Sequence, residues 1–313
     1  MRRKLFFNTS GAVADRLTET FDFVWSTATA QWNLRWQVDG YLRASPEATD
    51  DELKSRFASG SGIRGANLRR SCVQTTWQDQ QEMFARLLLI EFCALYEAWI
   101  DGVLEELGHN SIHAKNLQFP TTPSAGVSVA LAALLANISP ELQQCIYPVL
   151  KTNRKNSFGK LENLLVCYRF FKEARNAIVH HGGVASQKTV NAYSALARET
   201  AASLGVAEVP HHFPVFNVGD SVELNLRGVV GFGEIVLKLV TTLDAEFCQT
   251  IEAELVFDRR WRQIIGEMRH LPANANERKA KLAQMVRKLG LESPLQPTLL
   301  LPMLHRRRLV API

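Results

Sequence analysis

Hydrophobic residues recur at helical spacing along most of the chain, and the clearest example runs from 79 to 107. Apolar side chains occur there every three or four positions and form one wide stripe, and Gly108 stands where a helix would end. The same spacing predicts further helices over 12–42, 127–138, 140–150, 158–181, 186–204, 229–256, 259–270 and 276–289. The pattern therefore indicates an all-α protein.

Local signals support several helix starts, and one stretch departs from the helical pattern. Thr49 and Glu52 are spaced as a capping box, and Ser139 precedes a proline that would occupy the first turn of a helix. In the stretch HFPVFNVGDSVELNLRG, apolar and polar residues alternate on both sides of Gly219 and Asp220. This alternation predicts one β-hairpin near 213–227.

Three regions are expected along the chain. Residues 1–78 form an N-terminal helical extension that ends in a Gly/Ser-rich loop at 58–71. Residues 79–256 form the main helical domain, which carries the hairpin. Residues 257–313 form a basic helical segment with a proline-broken tail.

The composition is that of a soluble globular protein, with 46% hydrophobic and 21% charged residues among 313. Five scattered cysteines indicate free thiols in a reducing compartment. The apolar part of the N-terminal stretch, LFF, is too short for a secretory signal. The longest apolar run, at 127–138, is too short to span a bilayer. We therefore expect a cytoplasmic protein.

The net charge of +5 is unevenly distributed. Residues 257–313 contain twelve Lys or Arg against four Asp or Glu, a balance of +8, so the rest of the chain carries −3. This segment could attract RNA through phosphate contacts, or it could be an ordinary solvated basic face. The residues expected to contact phosphates are Arg259, Arg260, Arg262, Lys279, Lys281, Arg306, Arg307 and Arg308.

The candidate chemistry lies in FKEARNAIVHHGG, at 171–183. Asn176 and His180 are one helical turn apart and share a face, and Arg175 lies beside that face. A histidine can exchange a proton near neutral pH, and an arginine can hold a phosphate through two parallel hydrogen bonds. RNA supplies its own nucleophile, the 2′-hydroxyl, so cleavage would need no metal or cofactor.

A structural interpretation of the same residues also stands. Histidines in the last turn of a helix interact well with its negative end, and Gly182-Gly183 is a common helix stop. On the residues alone, this interpretation is the more frequent one for such a pattern.

The segment EARNAIVHHGG, preceded by LLVCYRFF, resembles the motif helix of the HEPN superfamily, whose mark is R-x(4–6)-H with a polar residue after the arginine. Arg175, Asn176 and His180 match that mark, and His181 matches it at the longer spacing. The helix over 79–107 resembles the helix that packs against the motif helix in large prokaryotic members, with Glu97 as the matching acidic residue. The resemblance covers about 79–256.

The resemblance implies a metal-independent endoribonuclease with Arg175, Asn176 and His180 as catalytic residues and with His181 and Glu97 in auxiliary roles. It also implies a homodimer, a place in toxin–antitoxin, abortive-infection or antiviral defence systems, and an antitoxin or regulatory partner. Some family members instead serve as non-catalytic RNA-binding or dimerisation modules. That alternative stays open, as does a regulator that acts through the basic segment at 257–313.

Other candidate sites have weaker support. Glu91 and Glu97 are six residues apart and do not share a helix face as a paired acid and base would. His211 and His212 have no cysteine or carboxylate at the spacing that a metal site needs. His109 and His113 have the spacing of one helical turn, but they lie in a predicted loop. No phosphate-binding glycine motif is present.

Overall fold

The structure is a computed structural model, and it describes residues 5–108, 114–121, 126–210, 215 and 217–311. The described residues are mainly helical, as predicted. The α-helices are α1 (Asn8–Ala44), α2 (Asp50–Phe57), α3 (Trp77–Leu107), α4 (Val127–Leu134), α5 (Pro140–Cys145), α6 (Tyr147–Lys151), α7 (Leu161–His180), α8 (Gln187–Leu196), α9 (Ala201–Leu204), α10 (Leu226–Phe247), α11 (Ile251–Ile264), α12 (Ala275–Lys288) and α13 (Leu301–Arg306).

The predicted helix ends agree with the structure where a local signal marks them. Thr49 and Glu52 form the expected capping box of α2, and Ser139 caps α5 ahead of its proline. Gly108 ends α3 in the left-handed conformation, with φ 75°. These helix ends can be predicted from the sequence because each one depends only on residues within one turn of the helix.

Helix α10 is the centre of the fold. Every residue from Ile235 to Phe247 is buried, so the helix is covered around its whole circumference. Helices α1, α3 and α7 pack against it. A methyl group added at Gly233 would lie 2.7 Å from the Phe21 ring and 2.9 Å from the Phe92 ring, so α1, α3 and α10 can approach this closely only because that residue is glycine.

The start of α1 is held by a buried carboxylate on α10. The backbone N–H groups of Phe6 and Phe7 donate to Asp244 at 2.7 and 3.0 Å. Next to this contact, the Trp99 indole donates to the Ser10 hydroxyl at 2.8 Å. Burial raises the pKa of Asp244 to about 6, although the hydrogen bonds that it accepts act to lower it. Asp244 therefore ties the N-terminal helix to the central one.

The far half of α1 belongs to a second, smaller core. Val38 on α1 packs there with Leu53 of α2 and with Leu68 and Cys72. A π-helix, Arg70–Gln74, lies between this core and the start of α3. The expected Gly/Ser-rich loop at 58–71 thus leads into an ordered π-helix rather than directly into α3.

The structure does not confirm the expected β-hairpin. The segment around Asp220 pairs instead with the chain that follows α7: Ala185 donates to the Asp220 carbonyl at 2.8 Å, and Val222 donates to the Gly183 carbonyl at 2.8 Å. Among the described residues, this pairing forms one isolated antiparallel bridge. Helix α10 begins four residues after Val222, at Leu226. Phe216, which was assigned to the first strand, lies outside the described residues.

The helices expected over 229–256 and 259–270 were wrongly divided. The chain turns at 248–250, where Thr250 caps α11, and α11 then continues without a break from Ile251 to Ile264. The expected boundary after residue 256 lies inside this helix, and the boundary after residue 78 lies in the first turn of α3. None of the helices in the described part of the chain is long and apolar enough to cross a bilayer.

Candidate functional site

Helix α7 carries the motif residues and lies against α3. The Tyr96 and Tyr168 rings are in edge contact, with centroids 4.6 Å apart, and further along α7 the Arg175 side chain interacts with Cys93 and Glu97. These contacts all lie within one turn on either side of Tyr96 on α3, which is where α7 packs against it. One side of α7 is fully buried, and the opposite side reaches the surface.

Two cations on α7 meet one carboxylate on α3. Arg175 Nη2 lies 2.6 Å from Glu97 Oε1, and Lys172 Nζ lies 2.9 Å from the same oxygen. Lys172 also donates to the Gln118 side chain. The three charged side chains are partly buried, and Glu97 retains 29% of its exposure. Two positive charges beside one negative charge leave this cluster with a net charge of +1, which favours an anion.

The thiol of Cys93 lies behind this cluster. Burial raises its pKa to about 12, against the opposing effect of the Arg175 charge and hydrogen bond. The thiol therefore stays protonated near neutral pH and is not a nucleophile. Burial also acts to lower the pKa of Arg175, but the Glu97 carboxylate and Cys93 more than offset this effect and raise it. Arg175 is accordingly a permanent cation.

The two histidines lie at the exposed end of α7. His180 is the last residue of the helix, and His181 follows it as the cap, with ring centroids 6.5 Å apart. Gly182 and Gly183 both have positive φ, at 63° and 84°, and the Gly183 N–H donates to the Ala177 carbonyl at 2.9 Å. The expected helix stop is thus confirmed, and both imidazoles are open to solvent.

The structure does not bring Arg175 and His180 together within one chain. Five residues of helix separate them by about 7.5 Å along the axis and by about 140° around it. Asn176 and His180 do share a face, and Asn176 is partly exposed. Arg175 faces α3, whereas the Asn176 and His180 side of α7 is directed away from Glu97.

Glu97, the acidic residue singled out on α3, lies beside Arg175. Lys172, Cys93 and Gln118 were missed. Lys172 is one turn before Arg175 on α7, and Cys93 is one turn before Glu97 on α3, so helical spacing from the two recognised residues would have pointed to both. The R-x(4–6)-H pattern contains neither residue.

The basic residues expected to bind RNA near the C-terminus contact other parts of the chain. Arg260 is 8% exposed and donates to the Asn8 side chain at 2.9 Å. Arg259 donates to the Glu106 carbonyl at 2.5 Å. Arg262 donates to Asp258 at 2.6 Å and also bonds a carbonyl near the C-terminus. These three arginines fasten the C-terminal region to α1, α3 and the tail.

Arg306 and Arg307 are also engaged. Arg306 lies 2.9 Å from Glu141 and 2.8 Å from Glu254, and Arg307 lies 3.1 Å from Glu254. Arg308, Lys279 and Lys281 are exposed. Two acidic residues from elsewhere in the fold, Glu141 and Glu254, therefore offset part of the +8 balance at 257–313.

Among the described residues, the other candidate pair, Glu91 and Glu97, does not form a site. Glu91 pairs with Arg16 at 3.1 Å, on a part of α3 away from Glu97. His109, His113, His211 and His212 lie outside the described residues. Within the described residues, no three side chains of the metal-binding types lie close together. All five cysteines are buried and free, as expected.

Comparisons of the chain with protein-family models, with curated proteins and with solved structures find no match. The resemblance to the HEPN superfamily therefore depends on the motif residues and on the helices that carry them.

Proposed function

We propose that the chain is a metal-independent endoribonuclease of the HEPN type. One observation carries the proposal: a charged Arg175, held by Glu97 and accompanied by Lys172, precedes a solvent-open His180 on the same helix. Cations that can bind a phosphate and an imidazole that can exchange a proton thus occupy one end of α7. The resemblance further suggests a role in prokaryotic defence or in a toxin system with an antitoxin or regulatory partner.

The reaction needs only these groups. His180 takes the proton of the 2′-hydroxyl, whose oxygen attacks the adjacent phosphorus while the bond to the 5′-oxygen breaks. Arg175 and Lys172 stabilise the charge that develops on the phosphate oxygens. The products are a 2′,3′-cyclic phosphate and a 5′-hydroxyl, which receives a proton from a second acid. Glu97 positions Arg175 and does not touch the RNA.

A homodimer would supply the second acid. In a single chain, His180 and Arg175 point to different sides of α7, so a symmetric neighbour would place a second set of the same residues opposite the first. Most of the apolar run before the motif, LLVCYRFF, is unavailable for an interface. Leu164, Leu165, Tyr168, Phe170 and Phe171 are fully buried within the chain.

A different surface suits the dimer better. Met83, Leu87, Ile90 and Ala94 are exposed on α3 at helical spacing, and this stripe leads toward Glu97. An exposed apolar stripe of this kind commonly marks a contact between protein chains.

A non-catalytic RNA-binding or dimerisation module is the second candidate. The observation in its favour is that Arg175 is already paired with Glu97 and is about 140° around the helix from His180. In that case the cluster would bind phosphate without cleaving RNA.

Incubation of the purified chain with labelled RNA in EDTA separates the two candidates. An endoribonuclease of this type should cleave the RNA without divalent metal and leave 2′,3′-cyclic phosphate ends. RNA that is bound but stays intact would favour the binding module. Cleavage that stops in EDTA and returns with magnesium would contradict the mechanism.

Variants at the end of α7 test the residues. His180→Ala should slow cleavage by about 10²- to 10⁴-fold, the usual contribution of a general base or acid. Its helical circular dichroism should be unchanged, since the side chain is exposed. His181→Ala is the matched control, with a smaller loss expected. An essential His181 beside a dispensable His180 would reverse this assignment.

The dimer has its own test. Light scattering should give about twice the 35.1 kDa chain mass. Leu87→Glu should yield a monomer, while Leu295→Glu, at another exposed leucine, should not. Cleavage recovered on mixing Arg175→Ala and His180→Ala chains would support a shared site, and a fully active monomer would refute it.

A further inference from the structure

Three tryptophans cluster where the far half of α1 meets the start of α3. Trp32 and Trp36 lie one turn apart on α1, with ring centroids 5.9 Å apart and planes at 78°. The Trp77 ring, at the first position of α3, lies 5.2 Å from Trp32. Trp36 is nevertheless 61% exposed and Trp32 is 40% exposed. Tryptophan is among the more buried residue types, so two adjacent exposed indoles indicate a surface that binds something.

The indoles border a small cavity whose floor is the π-helix. The cavity measures about 230 Å³, and Arg35 and Cys72 line it together with Trp32 and Trp36. Arg35 Nη1 donates to the carbonyls of Ser71 and Thr75, at 3.0 and 2.7 Å, and these residues lie in or next to the π-helix. The π-helix is a rare element that often marks a functional site.

The charge of the cavity is positive. The partners of Arg35 are carbonyl and amide oxygens, so none of them neutralises its guanidinium. Arg43, also at the cavity, is paired with Asp39 at 2.8 Å but stays 77% exposed. The two arginines and one aspartate leave a net charge of +1 beside the exposed indoles.

These features favour a nucleobase over a protein segment. A helix with its side chains is about 10 Å across and would not enter a cavity of this size. One planar ring can lie against an indole, and a neighbouring arginine can hold the phosphate that accompanies it. Aromatic side chains next to cations are the usual arrangement for binding single-stranded nucleic acid without sequence preference.

We propose that Trp32 and Trp36 form a stacking site for a base of single-stranded nucleic acid, with Arg43 next to its phosphate. The identification of that strand as RNA rests on the proposed function. The site lies about 30 Å from Glu97, because twenty residues of α3 separate Trp77 from Glu97. It would therefore hold a distant part of a strand whose scissile bond lies at α7.

The experiment measures binding and cannot be confused with cleavage. A labelled 2′-O-methyl oligonucleotide has no 2′-hydroxyl to attack, so fluorescence anisotropy of this probe with the full chain reports binding alone. Trp36→Ala should weaken binding about tenfold, which is typical for the loss of one stacked base. Trp36→Phe should restore part of the affinity, because phenylalanine keeps an aromatic face.

Trp25→Ala is the matched control. Trp25 is a half-exposed indole on the same helix, outside the cavity, and its replacement should leave binding unchanged. An abasic oligomer with the same number of phosphates should bind more weakly than the probe to the wild-type chain. A free nucleoside monophosphate that competes as well as the oligomer would show a nucleotide site and overturn the assignment to a strand.

Different outcomes test the stacking site and the ribonuclease activity. If Trp36→Ala binds the oligonucleotide as the wild type does, or if the abasic oligomer binds equally well, the stacking site is wrong and the exposed indoles bind a protein instead. Cleavage in EDTA could still occur in that case. If the probe binds through Trp36 and RNA is never cleaved, the proposed ribonuclease is wrong and the stacking site stands.

Discussion

Two glutamates in this protein each meet two cations, and the two arrangements differ. In the C-terminal region, the Glu254 side chain is 2% exposed. Its Oε1 atom pairs with Arg306, and its Oε2 atom pairs with Arg307. Between α3 and α7, Glu97 is 29% exposed, and Arg175 and Lys172 both approach the same oxygen, Oε1. The Glu254 carboxylate is thus closed to solvent and the Glu97 carboxylate is open to it, whereas among the cations Arg306, at 51% exposed, is more open than Arg175, at 19%.

The difference shows which arginines are available for function. Taking a carboxylate out of water costs free energy that only well-placed partners offset, so Glu254 commits both arginines to the fold. Glu97 stays partly hydrated and leaves an excess of positive charge near solvent. Arg306 and Arg307 are therefore matched by two carboxylates, Glu141 and Glu254, whereas Arg175 and Lys172 share one carboxylate and keep a positive charge for a ligand.

The largest effect is expected when the buried Glu254 carboxylate is removed. Glu254→Ala should lower the free energy of unfolding by about 3 kcal/mol, because it removes the charge-assisted hydrogen bonds from Arg306 and Arg307. Urea denaturation followed by circular dichroism measures the change. Cleavage per folded molecule should be unaffected. A loss of activity without a loss of stability would show that the basic segment does take part in function.

A third carboxylate, Asp244, is fully buried, and burial outweighs its hydrogen bonds and the Arg260 charge in setting its pKa. Its folded pKa, about 6, is above the ordinary 3.8, so its stabilising contribution is full below about pH 4 and is lost as the pH rises through about 6. The wild type should lose about 3 kcal/mol of stability over this range from this group. Asp244→Asn should abolish that part of the pH dependence in urea titrations. If the unfolding free energies of the two proteins changed in parallel with pH, Asp244 would not be the group responsible.

A smaller effect on stability, but a clear one on function, is expected at the Glu97 carboxylate. Glu97→Gln should cost about 1 kcal/mol, because glutamine can still accept a hydrogen bond. Its kcat should fall about tenfold with KM little changed, since Arg175 would be less well positioned in the transition state. Glu91→Gln, on the same helix and paired with Arg16, is the control and should keep full activity. A change in KM alone would assign Glu97 to RNA binding.

The smallest effect concerns the exposed lysines of the basic segment. Lys279 and Lys281 lie on the solvent side of α12. If they contact phosphates, replacing both by serine should lower the slope of log K against log salt by about two. Arg262→Ser, at an arginine already paired with Asp258, should leave that slope nearly unchanged. Equal slopes for the wild type and both variants would mean that the exposed face of α12 contacts only solvent.

The helices were largely predictable because their signals are local. The apolar stripe over 79–107 and Gly108 gave α3 to within two residues, and the capping box at Thr49 gave the start of α2. The expected hairpin near 213–227 is not confirmed, because its signal is not local. Its alternating residues pair with the chain after α7, some 35 residues earlier, and spacing along the sequence carries no information about that partner.

By itself, the sequence determined the all-α class, the helix ends that a cap or a glycine marks, and the position of Arg175, Asn176 and His180 on one helix. These follow from interactions within a few residues, whose geometry is the same in any fold. Only the tertiary structure decided which charges are free. Arg175 meets Glu97 across 78 residues, and Arg306 meets Glu254 across 52. Whether a charge is paired depends on which helix faces meet and how much water they exclude, and the packing of the whole chain around α10 sets both.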